Sequence, residues 1–128
     1  MEILFWSIIS FLSGSIPYSF ILGKIVRKTD IRTVGDKNPG AMNVLRTAGV
    51  GWFIFAFLLD GFKGAIPVGI AWFLVGIRDF WIVPVAIAPV LGHIFSPFLK
   101  FKGGKAISVT FGIWAGLTFG AGPTILGL

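Results

Sequence analysis

Long apolar runs alternate with short polar segments along this chain. The runs occupy residues 3–23, 50–76, 80–98 and 106–128, and each is apolar enough to enter a membrane as a helix. The first run would extend roughly 31 Å at about 1.5 Å per residue, which is close to the thickness of the bilayer hydrocarbon. The pattern predicts an all-α, polytopic transmembrane helix bundle with about four spans. We expect residues 1–128 to form a single integral membrane domain.

Polar residues interrupt two of these runs. Pro17 predicts a kink in the first span, where Ser13 and Ser15 can satisfy the loosened backbone. Asp60 and Lys63 are three residues apart in the second span and therefore share one helix face. Because lipid exposure of either charge is costly, we expect the two to pair and to face an inner cleft. A structural role and a substrate role for this pair remain equally open.

Composition narrows the class of protein. The chain is 55% hydrophobic and 12% charged, whereas soluble domains carry about 25% charged residues. The net charge of +6 lies in short loops between spans, which favours anionic lipid or a charged substrate as partner over nucleic acid. The absence of cysteine excludes disulfides and thiolate chemistry, and the single histidine argues against zinc. We expect neither a metal nor a cofactor.

The basic residues predict an orientation. Nine of the eleven Lys and Arg residues lie in two loops, residues 24–49 and 100–105, whereas Arg78 lies in the turn at the opposite end. The positive-inside rule places both loops in the cytoplasm and the N-terminus outside. The first run is too long for a signal-peptide core and is expected to be retained. The sequence stops within an apolar stretch, as expected of a fragment or an unusually short protein.

The loop at residues 100–105 has the composition of a phosphate site. Gly103 and Gly104 are adjacent and can expose backbone N–H groups, and Lys102 and Lys105 flank them. Backbone donors beside cationic side chains bind anions, and phosphate is the anion best suited to them. A simple positively charged membrane anchor would need the lysines but not the glycines. We therefore favour phosphate binding here.

The other basic loop collects polar donors around a turn. The donors and turn residues are Gly35, Asn38, Gly40, Asn43 and Arg46. A guanidinium group suits bidentate contact with phosphate. Asn, Pro and Gly also form ordinary surface turns, so this loop alone leaves both interpretations open.

His93 and Asp36 are the candidate catalytic residues, each as a proton acceptor. A lone histidine is more often structural, and the His-x-x-x-x-Asp signature is absent because Phe98 occupies the acid position. No Ser–His–Asp set can be assembled either.

Several motifs together resemble one family, the bacterial PlsY-type glycerol-3-phosphate acyltransferases. They extend over residues 13–112 and read Gly14-Ser-Ile-Pro-Tyr18, Asp30-Ile-Arg32, Gly35-x-x-Asn-Pro-Gly-Ala-x-Asn-Val-Leu-Arg46, Asp60-x-x-Lys-Gly64, Leu91-Gly-His-Ile-Phe95 and Phe101-Lys-Gly-Gly-Lys105. Three departures are visible. Asp36-Lys37 stands where the family usually has Ser-Gly, and Ala106-Ile-Ser-Val109 stands where the second loop usually continues Gly-Val-Ala-Thr. The family's third motif lies in later spans that are absent from this sequence.

The resemblance implies a multi-pass enzyme of the cytoplasmic membrane that transfers a fatty acyl group from acyl phosphate to glycerol-3-phosphate. The product would be lysophosphatidate, an intermediate of phospholipid synthesis. The resemblance also implies that the loop ending in Gly103-Gly104-Lys105 holds glycerol-3-phosphate, and that neither a metal nor acyl-CoA takes part. Two alternatives stay open: a non-catalytic membrane relative that binds anionic lipid or phosphate, and a small transporter of phosphorylated solutes.

Overall fold

The structure, a computed structural model, describes residues 1–118. Within that range every regular element is helical, which confirms the all-α prediction. The α-helices are α1 (Glu2–Ser15), α2 (Tyr18–Arg27), α3 (Ala41–Ala48), α4 (Val50–Ile70), α5 (Ile82–Ile94) and α6 (Ile107–Thr118). Short 3₁₀ turns cover Ile31–Thr33, Asp79–Trp81 and Pro97–Leu99, and α4 continues into a π-helical segment, Ala71–Val75.

Three helical segments are long and apolar enough to cross a bilayer: Glu2–Arg27, Val50–Val75 and Asp79–Leu99. They correspond to the first three predicted spans. The predicted fourth span begins with α6, a shorter apolar helix, and continues beyond the described residues. The outward orientation of the N-terminus and the single domain over residues 1–128 stay predictions.

Pro17 breaks the first span as expected. Helix α1 ends at Ser15 and α2 starts at Tyr18, with Ile16 in an extended conformation between them. The Ser15 hydroxyl donates to a carbonyl of its own helix, at Leu12, over 2.7 Å. The Ser13 hydroxyl instead reaches across to α4, where it donates to the carbonyl oxygen of Lys63 at 2.7 Å. Next to the break, α1 is therefore hydrogen-bonded to α4 at Lys63, one of the two buried charged residues.

Small residues let the helices approach one another closely. Helix α1 packs mainly on α5, and α4 packs mainly on α6. A Cβ atom on Gly92 of α5 would collide with the backbone carbonyl of Phe11 in α1. Close backbone approach of this kind is typical of helix packing in membranes. Fully buried Val68, Val85 and Val109 fill the core between α4, α5 and α6.

The two basic loops meet at one end of the bundle. The loop before α3 carries Asp36, and the loop before α6 carries Lys105; their side chains are 3.0 Å apart. This confirms that both loops lie on the same face, as the distribution of basic residues predicted. The first loop is held to helix α2 through Ile31, which is fully buried in a cluster against which Leu22 of α2 packs.

Candidate functional site

A cavity of about 280 Å³ opens where the two basic loops meet α4 and α6. Both candidate catalytic residues and four of the predicted substrate-binding residues line it: Asp36, His93, Asn38, Gly40, Arg46 and Lys105. The remaining predicted residues, Gly35, Asn43, Lys102, Gly103 and Gly104, do not form its wall. The sequence thus identified the polar half of the cavity.

The Asp36 carboxylate lies between the cations of this cavity. Its Oδ2 accepts a hydrogen bond from Nζ of Lys105 at 3.0 Å, and its Oδ1 lies 3.7 Å from a guanidinium nitrogen of Arg46. The backbone N–H of Asn38 and Nδ2 of Asn43 also donate to Oδ1, each at 3.1 Å. The hydrogen bond from Lys105 is the main cause that lowers the pKa of Asp36 from 3.8 to about 2. Asp36 is therefore ionised near neutral pH and is a poor proton acceptor.

Asn43 supports the first loop from inside. It is only 1% exposed, and its Nδ2 also donates to the carbonyl oxygens of Asn38 at 2.7 Å and Ile31 at 3.2 Å. Its Oδ1 accepts from Arg46 at 2.5 Å, which directs the guanidinium group along the cavity wall. Gly35 is adjacent, with a φ of +54°, and any Cβ there would meet Asn43 and Arg46. Both residues shape the site without lining it.

The glycine amides of the second loop are not free, contrary to expectation. The N–H of Gly103 donates to the carbonyl oxygen of Ile94 at 2.8 Å, and that of Gly104 donates to His93 at 3.2 Å. These carbonyls lie at the C-terminal end of α5, where helical partners are lacking. A Cβ on Gly103 would collide with the His93 carbonyl oxygen. The glycines thus allow close packing against α5, and their N–H groups are engaged by the end of that helix.

A buried polar cluster lies behind the cavity. Asp60 and Lys63 form an ion pair at 3.1 Å, with side chains 2% and 1% exposed, which confirms the predicted pairing. Ser19 donates to Oδ2 of Asp60 at 2.6 Å, but Oδ1 has no well-directed hydrogen bond, so its contact with Lys63 is chiefly electrostatic. Nζ of Lys63 also lies 2.9 Å from the Ile16 carbonyl oxygen and 2.8 Å from Nδ1 of His93. Asp60 and His93 both reach the cavity wall.

Sequence reasoning missed the apolar half of the site. Phe53 and Phe57 line the cavity beside Asp60. Their spacing along α4 puts all three on one helix face, and this periodicity would have identified them once Asp60 was assigned to an inner cleft.

Beyond Phe57 a second, apolar groove of about 420 Å³ runs between α4 and α6. Phe57 and Ser108 belong to both the cavity and the groove. The groove continues along small and aromatic residues: Leu58, Gly61, Phe62, Ala65, Phe111, Gly112 and Ala115. The site therefore joins a cation-bearing cavity to an apolar groove.

Fold and site together define a helical membrane protein that places a polar, cation-bearing cavity at the end of an apolar bundle. Comparison with known proteins identifies the family. Residues 4–128 match the family described as glycerol-3-phosphate acyltransferase, and the chain belongs to it. This confirms the resemblance found in the motifs.

Two curated relatives illustrate the similarity. Glycerol-3-phosphate acyltransferase 1 of Thermotoga maritima is 46% identical over 122 residues, which cover 92% of this chain and 59% of the relative. Glycerol-3-phosphate acyltransferase of Desulfovibrio desulfuricans is 40% identical over 119 residues, covering 93% of this chain and 52% of the relative. The chain thus spans between half and three fifths of the length of these relatives.

Solved structures share the fold. The chain is similar to PlsY (YgiH), an integral membrane glycerol 3-phosphate acyltransferase, in its glycerol 3-phosphate form, with a TM-score of 0.86 and 34% identity. That match covers 98% of this chain and 60% of the other. The lysophosphatidic acid form gives a TM-score of 0.83 and 33% identity, covering 98% and 59%. Together with the apolar helices, these similarities show a multi-pass membrane protein.

Proposed function

We propose that this chain takes part in the transfer of a fatty acyl group from acyl phosphate to glycerol-3-phosphate, giving lysophosphatidate for phospholipid synthesis. The observation that carries the proposal is the junction at Phe57 and Ser108, where a cation-bearing cavity meets an apolar groove. An acyltransferase with one water-soluble and one lipid-soluble substrate needs such a junction.

Lys105 and Arg46 supply the charge that binds phosphate. Their side chains are 60% and 45% exposed, so a ligand entering from the loops can reach them. Glycerol-3-phosphate would displace the Asp36 carboxylate, which occupies these cations in the free protein. A phosphate dianion offers more charge and more acceptor oxygens than a carboxylate, which favours the exchange.

The apolar groove between α4 and α6 suits the acyl chain. Its wall is almost wholly apolar, and it opens laterally between helices. With the chain in the groove, the reactive carbonyl would lie near Phe57 and Ser108, next to the bound glycerol. Orienting two reactants in this way can lower a barrier by several kcal/mol.

The reaction makes modest demands on the protein. The glycerol hydroxyl oxygen forms a bond to the acyl carbon, and the bond from that carbon to the phosphate oxygen breaks. Inorganic phosphate leaves, and the hydroxyl proton departs with it or passes to water. Both substrates are anionic, so Lys105 and Arg46 would relieve their repulsion and stabilise the negative charge that develops in the transition state.

The same arrangement supports a location in the cytoplasmic membrane with both basic loops inside. Glycerol-3-phosphate would then reach the cavity from the cytoplasm, and the acyl phosphate would reach the groove from the bilayer. The basic residues in the two loops favour this orientation.

An acylation assay tests the proposal. The protein is purified into lipid and supplied with labelled glycerol-3-phosphate and palmitoyl phosphate, and lysophosphatidate is measured. We expect product with the unchanged chain and with Lys24→Ala, an exposed lysine of α2 outside the cavity. Lys105→Ala should lose most of the activity.

Other outcomes would overturn the proposal in different ways. Binding of glycerol-3-phosphate without transfer would indicate a non-catalytic relative that recognises phosphate. Uptake of labelled glycerol-3-phosphate into sealed vesicles without acylation would indicate a transporter. Equal product from Lys105→Ala and Lys24→Ala would place the phosphate outside this cavity.

A further inference from the structure

The single histidine of the chain is hydrogen-bonded on its inner side by a buried ammonium group. Nζ of Lys63 lies 2.8 Å from Nδ1 of His93, 2.9 Å from the carbonyl oxygen of Ile16 and 3.1 Å from Oδ1 of Asp60. A lysine ammonium carries three hydrogens and accepts none. The carboxylate favours the charged form of the amine through its negative charge, and the Ile16 carbonyl oxygen takes the direction of one hydrogen. Another hydrogen of the ammonium group then points at the ring nitrogen.

Because Lys63 donates, Nδ1 of His93 must accept, and the ring proton must reside on Nε2. Nε2 faces the opposite way. A Cβ atom on Gly104 would lie 2.6 Å from it, and His93 belongs to the cavity wall. Within residues 1–118, Nε2 has no hydrogen-bond partner, so its proton is available to a ligand.

We propose that Lys63 fixes His93 as an Nε2–H donor directed into the cavity, so that His93 binds an anionic oxygen of the substrate rather than accepting a proton. A histidine base needs a free lone pair, and the only one on this ring is engaged by Lys63. The assignment therefore differs from the proton-acceptor role expected from sequence. It rests on the proposed function only for the identity of the substrate.

In this arrangement Lys63 is a positioning residue and Asp60 keeps it charged. Each of the two has a further partner: Ser19 donates to Asp60, and the Ile16 carbonyl, at the break in the first span, faces Lys63. The cluster connects α2, α4, α5 and the break between α1 and α2 behind the site. At the cavity wall the cluster presents one fixed N–H donor, from His93, and one edge of the Asp60 carboxyl group.

The tautomer can be read directly, because the sequence has one histidine. The protein, labelled with ¹⁵N-histidine and purified through a tag without histidine, is placed in lipid nanodiscs. Two-bond ¹⁵N–¹H correlations at neutral pH then report which ring nitrogen carries the proton. We expect Nε2–H alone, and inorganic phosphate or glycerol-3-phosphate should shift the Nε2 resonances more than those of Nδ1. An Nδ1–H tautomer, or a doubly protonated ring, would overturn the proposal.

Two substitutions separate donation from base catalysis. His93→Gln retains an oxygen that can accept from Lys63 and an N–H that can reach the cavity, whereas His93→Leu retains neither. We expect His93→Leu to raise the KM for glycerol-3-phosphate about tenfold or more with kcat little changed, and His93→Gln to recover most of the affinity. Loss of kcat by about a hundredfold in both variants would instead identify a general base and refute the assignment.

The double variant Asp60→Asn/Lys63→Met tests the positioning role without leaving a buried charge. It should keep the helical spectrum while the histidine signal becomes a mixture of tautomers. A pure Nε2–H signal in that variant would show that Lys63 does not fix the ring. If the unchanged protein shows Nε2–H yet makes no lysophosphatidate, the tautomer assignment stands and the proposed acyl transfer fails.

Discussion

Nζ of Lys105 and Oδ2 of Asp36 form an ion pair at 3.0 Å that joins the two basic loops across the mouth of the cavity. The pair places a carboxylate where the proposed function requires a phosphate. We therefore expect Asp36 to compete with glycerol-3-phosphate, and Asp36→Asn should lower the KM about two- to fivefold, the range expected for an exposed ion pair. Initial rates at varied glycerol-3-phosphate check this.

Asp79→Asn is the matched control for that substitution. Asp79 is an exposed acid in the turn before α5, with a φ of +58° that asparagine tolerates, and it does not line the cavity. The KM of the Asp79→Asn variant should equal that of the unchanged chain. A loss of kcat by about a hundredfold in Asp36→Asn alone would show instead that Asp36 is the proton acceptor.

The pH dependence of this competition follows from the pKa of Asp36, which is lowered from 3.8 to about 2. A carboxyl group with a depressed pKa contributes its contact fully above its ordinary pKa and loses it as the pH falls toward the lowered value. The ratio of KM values between Asp36→Asn and the unchanged chain should therefore stay constant from about pH 5 to about pH 8. A ratio that approaches one near pH 5 would contradict the ionised assignment.

The glycines of the second loop predict a stability effect. Gly103→Ala places a Cβ against the His93 carbonyl and should reduce stability by about 1–3 kcal/mol, with loss of activity. Gly51→Ala is the control, because a Cβ there meets nothing within 4 Å and alanine favours the helix. Thermal unfolding of both variants in the same detergent measures the difference. Equal Tm values would mean that the second loop does not pack on α5 as described.

The buried pair predicts a second stability effect. Lys63→Met leaves the Asp60 carboxylate uncompensated in a site that is 2% exposed, and should cost about 3–5 kcal/mol. Asp60→Asn/Lys63→Met removes both charges and should recover a substantial part of that loss. Denaturant titration in detergent compares the two. A double variant no more stable than Lys63→Met would show that the charges do not act as a pair.

The orientation prediction is testable because the chain contains no cysteine. Single substitutions Glu2→Cys and Lys102→Cys each place one exposed thiol, at the N-terminus and in the second basic loop. A membrane-impermeant maleimide should label Glu2→Cys from outside intact cells and Lys102→Cys only after the cells are opened. The reverse pattern would invert the proposed topology.

Much of the fold was predictable because apolar run length and charge position act locally. The spacing of Asp60 and Lys63 predicted their pairing, and Pro17 predicted the break in the first span. The hydrogen bonds of Gly103 and Gly104 were not predictable from their own segment. Their acceptors are carbonyls at the end of α5, and which carbonyls come within reach depends on how Ser96 to Lys102 turns back. A glycine pair looks the same whether its amides meet a ligand or a helix end.

The charged residues of the site could be predicted from the sequence, but their arrangement in space could not. Lys105, Arg46 and Asp36 could be proposed from composition, yet their convergence depends on packing between α3, α4 and α6. The apolar wall at Phe53 and Phe57 was hidden because aromatic residues in a membrane helix are common whatever they face.

Phe57 and Ser108 form a wall that the cavity and the groove share, and this has a consequence for how reactants enter. A reactant from the aqueous phase and one from the bilayer would each enter by a separate opening and meet only at this shared wall. Neither would have to cross the other's solvent to reach the site, and neither would block the entry of the other.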